Sequence, residues 1–173
     1  MYYIYEETLS GIEQLTTERL LIRHPVIEDA ADIFEIRGDW STAADAGAYC
    51  MESIEDAKQH LTGGREDWLV IVLGNEVIGL IEAYFDEELY FDSLFLGYYM
   101  KKNQRGKGYM TEALTAVKNE LFKIGYDDLI LWIYPDNVAS RRVAVKCGWN
   151  FVCCHIADIG GFNQYVDFYR QKK

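Results

Sequence analysis

Apolar positions recur at two different periods along this chain, and the change of period divides it into elements. Over residues 109–125, Met110, Ala113, Leu114, Val117, Leu121 and Ile124 fall at spacings of three and four, with Thr115, Lys118, Asn119 and Lys123 off that stripe. This predicts an amphipathic helix, which Gly125 ends as a C-terminal cap residue. On either side lie continuous apolar runs, Leu94-Phe95-Leu96-Gly97-Tyr98-Tyr99-Met100 and Leu129-Ile130-Leu131-Trp132-Ile133-Tyr134, the second closed by Pro135. The second run reads as a central strand buried on both faces. Strand, helix and strand within about 40 residues form a crossover unit.

The remaining pattern fills in a sheet. Residues 19–23 predict a first strand, and 26–37 a helix with Ile27, Ala30, Ala31, Phe34 and Ile36 inward. Residues 54–61 predict a second helix. Residues 68–73 and 77–85 predict a hairpin across Gly74-Asn75, and 151–156 with 165–170 a closing pair around Gly160-Gly161. After Pro135, Asn137 is a natural helix N-cap, Val138, Arg142 and Val145 share one face, and Gly148 stops the helix. The expected fold is α/β: a mixed, mostly antiparallel sheet of six or seven strands with helices on both faces. No linker or repeat divides it, so residues 17–173 read as one domain behind an extension at 1–16.

Candidate chemistry concentrates at Asn103-Gln104-Arg105-Gly106-Lys107-Gly108-Tyr109-Met110, between strand and helix. Two glycines one residue apart allow a tight turn with no Cβ to hold a ligand away. The helix that follows offers unpaired N–H groups and the positive end of its dipole, about half a charge. Together they make a place for phosphate oxygens. A dinucleotide fingerprint is excluded, because Thr111 stands where its third glycine belongs. A P-loop is excluded too, because Gly106-Lys107 is followed by Gly108 rather than Ser or Thr.

The segments 105–114 (Arg-Gly-Lys-Gly-Tyr-Met-Thr-Glu-Ala-Leu), 136–140 (Asp-Asn-Val-Ala-Ser) and 146–149 (Lys-Cys-Gly-Trp) resemble the cofactor side of the GNAT superfamily of acyl-CoA-dependent N-acyltransferases. The opening Thr-Glu-Arg-Leu-Leu-Ile-Arg at 17–23 and Glu-Asp-Ala at 28–30 resemble its branch that acetylates ribosomal-protein N-termini. The resemblance implies a splayed pair of parallel central strands, with the pantetheine arm of acetyl-CoA in the wedge. It implies pyrophosphate on the amides of Arg105, Gly106, Lys107, Gly108, Tyr109 and Met110, and thioester contacts from the main chain near Tyr98, Tyr99 and Met100. Asn137 would orient the pantetheine, and Ser140 would bind it and serve as proton donor. The tyrosine that many members carry seven residues after the asparagine is Ala144 here, and a glutamate common in the branch is replaced by Phe95. Glu82, an acid in an apolar strand, is the candidate base; the alternative puts it on a solvated face. The implied activity is transfer of acetyl to a primary amine by direct attack, with no metal. The alternative is a CoA-binding module that has lost catalysis.

Composition constrains the partners. The 173 residues carry a formal charge of −11 and are 50% hydrophobic, which argues for a globular protein and against direct nucleic-acid binding. The same acidity favours a cationic acceptor such as a peptide N-terminus, polyamine or aminoglycoside. Asp39, Trp40 and Asp45, after the first helix, are candidate acceptor contacts through charge and cation–π attraction. No apolar run spans a bilayer and no signal peptide is evident, so the expected compartment is the cytoplasm. Cys50, Cys147, Cys153 and Cys154 lack metal-ligand spacing and read as reduced, buried thiols. Thirteen tyrosines leave an aromatic acceptor pocket or a homodimer patch open.

Overall fold

Along the strand Trp68–Leu73, successive side chains serve two different cores, which fixes the layering of the molecule. Leu69 and Ile71 join a cluster built on the long helix, with Ala113, Leu114, Val117 and Leu121. Trp68, Val70 and Val72 join another, with Ile33, Ile36, Ala57 and Leu61 from the earlier helices. A strand with period-two side chains and helices on both sheet faces has to be apolar throughout. The protein, seen here as a computed structural model, is described at residues 3–4, 8–86, 93–159 and 162–173.

In chain order the elements are β1 (Tyr3–Ile4), β2 (Gln14–Thr16), β3 (Leu21–Arg23), α1 (Ala30–Arg37), α2 (Trp40–Ala44), α3 (Ile54–Leu61), β4 (Trp68–Leu73), β5 (Glu76–Asp86), β6 (Leu94–Met100), α4 (Tyr109–Ile124), β7 (Asp128–Ile133), α5 (Val138–Lys146), β8 (Asn150–Ile159) and β9 (Phe162–Lys172). The sheet runs β2-β3-β4-β5-β6-β7-β9-β8, with β1 paired to β5. Every pairing is antiparallel except β6–β7. The seven expected strands are present; β1 and β2, two and three residues long, bring the described total to nine. Both are too short to carry a readable period. The loop expected at Gly160-Gly161 lies outside the described residues.

Local expectations give way at the start of α1, on the face of α5 and at two cysteines. Residues 26–29 begin as a 3-10 turn rather than α-helix. Ile27 and Ala31 are therefore exposed, and the inward stripe of α1 is Ala30, Ile33, Ile36 and Arg37. On α5, Val138 and Val145 face solvent while Ala144 is fully buried. Cys147 is buried as expected, but Cys153 and Cys154 are exposed on β8. Residues 8–16, read from the sequence as an extension, contribute Leu9 and Ile12 to the α4-side core. No helix among the described residues is long and apolar enough to cross a membrane.

Candidate active site

β6 and β7 share only three paired positions: Leu94 with Leu129, Phe95 with Ile130, and Leu96 with Leu131. Beyond them β6 stays on β5 as far as Met100, while β7 stays on β9 through Ile133. The parallel pair therefore forks, as the resemblance implied. Lys101 N–H donates to the Ile78 carbonyl at 2.9 Å. Alternation along an antiparallel ladder then turns the N–H groups of Tyr98 and Met100 away from β5, into the fork. A cavity of about 590 Å³ lies at this fork and is lined by residues from both sheet faces. It touches Tyr98 and Ser140 on one side, and Arg37, Trp68, Glu82 and Tyr99 on the other.

The glycine turn forms one end. Gly106 and Gly108 have φ of 77° and 84°, the left-handed region open to glycine. A Cβ at Gly106 would meet nothing within 4 Å, so the turn is open at this position. The first bond into α4 is Glu112 N–H to the Gly108 carbonyl. The amides of Tyr109, Met110 and Thr111 thus precede the helical ladder. Arg105, Gly106, Gly108, Tyr109 and Met110 line the cavity; Lys107 does not. These residues fit a diphosphate: bare amides, no Cβ and a helix N-terminus.

A side-chain clamp fixes this turn. Glu112 accepts from Thr17 Oγ1 (2.6 Å), the Arg19 amide (3.0 Å) and Arg19 Nε (2.7 Å), and the Arg19 guanidinium lies 4.5 Å from the Tyr109 ring centre. Burial raises the Glu112 carboxyl pKa, but these hydrogen bonds and Arg19 outweigh it and hold it below the usual range. A depressed folded value gives stability that is full above the unfolded pKa, near ~4.3, and is lost as pH falls through the folded one. Glu112→Gln should therefore cost about 1–2 kcal/mol at pH 7 and progressively less as the pH falls through the depressed folded value, measured by thermal melts over an acid pH series.

Across the fork, Tyr98 Oη lies 2.6 Å from Ser140 Oγ and 3.1 Å from the Ser140 carbonyl oxygen. Burial pushes the Tyr98 phenol well above its ordinary pKa, only partly offset by the serine hydrogen bond, so it stays protonated. Asn137 caps α5, accepting the Ser140 amide at 3.0 Å, while its Nδ2 donates to the Asp45 carbonyl at 3.2 Å. Asn137 is thus the helix cap expected from the sequence, and both residues line the cavity. The Tyr98 hydroxyl was missed as a partner, because a contact between residues 42 apart leaves no mark in local spacing.

On the opposite face Glu82 is not solvated: its side chain is 13% exposed. One oxygen accepts from Arg37 at 3.1 Å and the other from the Tyr99 hydroxyl at 2.5 Å. A Cβ on Gly97 would lie 2.8 Å from Glu82 Oε1, so the missing side chain lets the carboxylate reach the throat of the fork. Phe95 and Ala144, where the resemblance offered catalytic alternatives, are fully buried in cores and do not line the cavity.

The expected acceptor contacts divide. Asp39 is the N-cap of α2, accepting from Thr42 N–H at 2.9 Å and paired with Lys102 at 2.8 Å. Those partners hold its carboxyl far below the usual range. Neither Asp39 nor Trp40, 74% exposed, lines the cavity. Asp45 does, 3.7 Å from Arg105. The cavity is also lined by Tyr49, His60, Arg65 and Trp68, the last directly cross-strand from Glu82. Tyr49 and Trp68 each stack on His60, with ring centres 6.2 and 6.4 Å away.

Residues 19–150 match the acetyltransferase (GNAT) domain family. An uncharacterized N-acetyltransferase, YnaD, of Bacillus subtilis (strain 168) is 30% identical over 145 residues, 78% of this chain and 81% of that protein. A GNAT-family acetyltransferase from Bacillus anthracis superposes with a TM-score of 0.80 at 20% identity, covering 92% of this chain and 98% of that one. The ribosomal L7/L12 alpha-N-protein acetyltransferase RimL, solved with coenzyme A, superposes with a TM-score of 0.72 at 17% identity, covering 92% and 98%. At such identities the two structures speak for the fold alone. With its forked strands, glycine turn and matched domain, the chain belongs to the GNAT acetyltransferase family.

Proposed function

We propose that this protein is an acetyl-CoA-dependent N-acetyltransferase that acts on a primary amine, of a protein N-terminus or a small molecule, in a ternary complex. The observation that carries this reading is the fork itself. Its two walls bring Tyr98–Ser140 and Glu82 to one cavity, with the glycine turn at its end. Acetyl-CoA would supply a thioester carbonyl as electrophile and a thiol as leaving group.

The chain's own groups fit the remaining tasks. The fork-facing amides of Tyr98 and Met100 are placed to hydrogen-bond a carbonyl oxygen, with little reorganisation. Amides ahead of the α4 ladder hold phosphate oxygens. Glu82, fixed by Arg37 and Tyr99, takes a proton from the incoming ammonium, directly or through one water. Ser140 holds a proton at Oγ for the departing sulfur, and Tyr98 sets the direction of that hydroxyl.

A free-thiol assay over amines and N-terminal peptides tests this function. Tight acetyl-CoA binding with no thiol release from any acceptor would favour the non-catalytic module. Ser140→Ala should lower turnover by about 10- to 100-fold while acetyl-CoA affinity changes little. Tyr98→Phe should reproduce part of that loss; unchanged turnover in both variants removes the pair from the mechanism.

A further inference from the structure

The sheet face that carries Glu82 also carries a row of aromatic side chains on the far side of the fork. Along β5 and β6, Glu82 pairs with Gly97 and Tyr84 with Phe95; Phe95 in turn pairs with Ile130 on β7. Side chains alternate along a strand, so Glu82, Tyr84, Phe95, Ile130 and Trp132 share one face. Packing agrees. Phe95, Ile130, Val166 and Phe168 form one buried cluster, with Tyr84, Trp132 and Tyr134 half-buried against it. The cavity reaches this cluster, because Tyr84, Trp132, Tyr134 and Val166 line it together with Glu82. The transfer chemistry itself uses neither Trp132 nor Tyr134.

The fork sets where Trp132 stands relative to Glu82. Leu96 and Leu131 are the last paired positions of β6 and β7. One residue on, β6 has Gly97, and the Glu82 carboxylate lies over it, since a Cβ there would be 2.8 Å from Oε1. One residue on, β7 has Trp132. Paired strands run about 4.8 Å apart, and these two separate from this point, so carboxylate and indole stand on opposite sides of the root of the fork. The indole is held in place from below. Its ring centre lies 5.5 Å from that of Phe95, met edge-on, and 5.5 Å from that of Phe168. Both phenylalanines are buried. A ring fixed in this way offers apolar surface with little freedom left to lose on binding.

We propose that the acceptor presents an arylethylamine unit, its primary amine at Glu82 and its aromatic ring against Trp132 and Tyr134, which makes those two residues determinants of specificity. This rests on the transferase reading and goes beyond it by naming what the amine carries. The spacer follows from the fork: amine and ring sites are about one strand spacing apart, roughly 5–7 Å, the reach of a two-carbon link. A polyamine would bring a hydrated ammonium to the same rings, and burying it there costs solvation. A free arylethylamine and a peptide that begins with an aromatic residue share the unit.

Calorimetry on CoA-saturated protein reads the preference without needing turnover. The probes are phenethylamine and tryptamine against propylamine, a peptide beginning with phenylalanine against the same peptide beginning with alanine, and spermidine. In at least one set the aromatic member should bind about tenfold tighter or better, and the set that shows the gap tells a free amine from a protein N-terminus. Spermidine should bind more weakly than that ligand. Trp132→Leu, which keeps an apolar side chain on the cluster, should remove most of the gap, and Trp132→Phe should keep more of it. Tyr134→Ala, just past the end of β7, is the second variant, with a thermal melt confirming that each is folded. No gap in either set, tighter binding of spermidine, or a gap that survives both Trp132→Leu and Tyr134→Ala overturns the proposal. A parallel thiol assay separates the two claims. Aromatic-selective binding with no thiol release from any amine sinks the transferase reading alone, and thiol release that prefers propylamine or spermidine sinks this inference alone.

Discussion

Glu82→Gln should lower turnover by about 10²- to 10⁴-fold while acetyl-CoA affinity stays within a few-fold of wild type. The amide keeps the volume of the acid and can still accept from Arg37 or Tyr99, but it cannot take a proton. Residual activity should move to alkaline pH, where the amine arrives already neutral. Part of the change will appear as stability. The Arg37 side chain is 8% exposed, and removing the charge opposite it leaves a buried guanidinium less well compensated. A melt run beside the pH–rate profile separates the two effects: a folded variant with wild-type pH dependence would remove Glu82 as base. Gly97→Ala is the complementary test. Its Cβ would lie 2.8 Å from Glu82 Oε1, so the carboxylate must move although its chemistry is intact. Turnover should fall there as well.

Gly106→Val should cost acetyl-CoA affinity by about 100-fold or more, near 2.7 kcal/mol, with a smaller loss of stability. The φ of 77° strains any residue with a Cβ by roughly 1–2 kcal/mol, and a β-branched one most of all. No protein atom lies within 4 Å of the new Cβ, so the fold has room for it. The branched side chain would enter the space where phosphate oxygens approach the loop. Lys107→Ala provides the contrast, since Lys107 stands in the same turn but off the cavity, and its affinity loss should be far smaller.

The parts of this molecule legible in the sequence are those written in local periodicity. The α4 stripe from Met110 to Leu121 is buried as read, and only Ile124 at the frayed end is 41% exposed. Helix α3 and strands β4 and β6 fall on their expected spans, because apolar runs bounded by glycine, proline or capping residues leave little choice. The glycine turn, the start of α4 and the Asn137 cap were readable for a related reason: they are short-range features whose backbone roles depend on neighbours in the chain.

The acceptor side was not legible, and Asp39 shows why. An acid before a tryptophan fits a cation site as well as it fits a helix cap, and only the Thr42 amide and Lys102, 63 residues on, decide between them. Arg37 ends the expected helix 26–37, and only the fold buries it against Glu82, 45 residues away.

The central claim is that the fork between β6 and β7, closed by the glycine turn, is an acetyl-CoA site. Isothermal titration of the purified protein with coenzyme A tests it most directly. The account predicts saturable heat with one site per chain, lost or weakened about 100-fold in Gly106→Val. No heat with the wild-type protein, or equal binding by the valine variant, would contradict it.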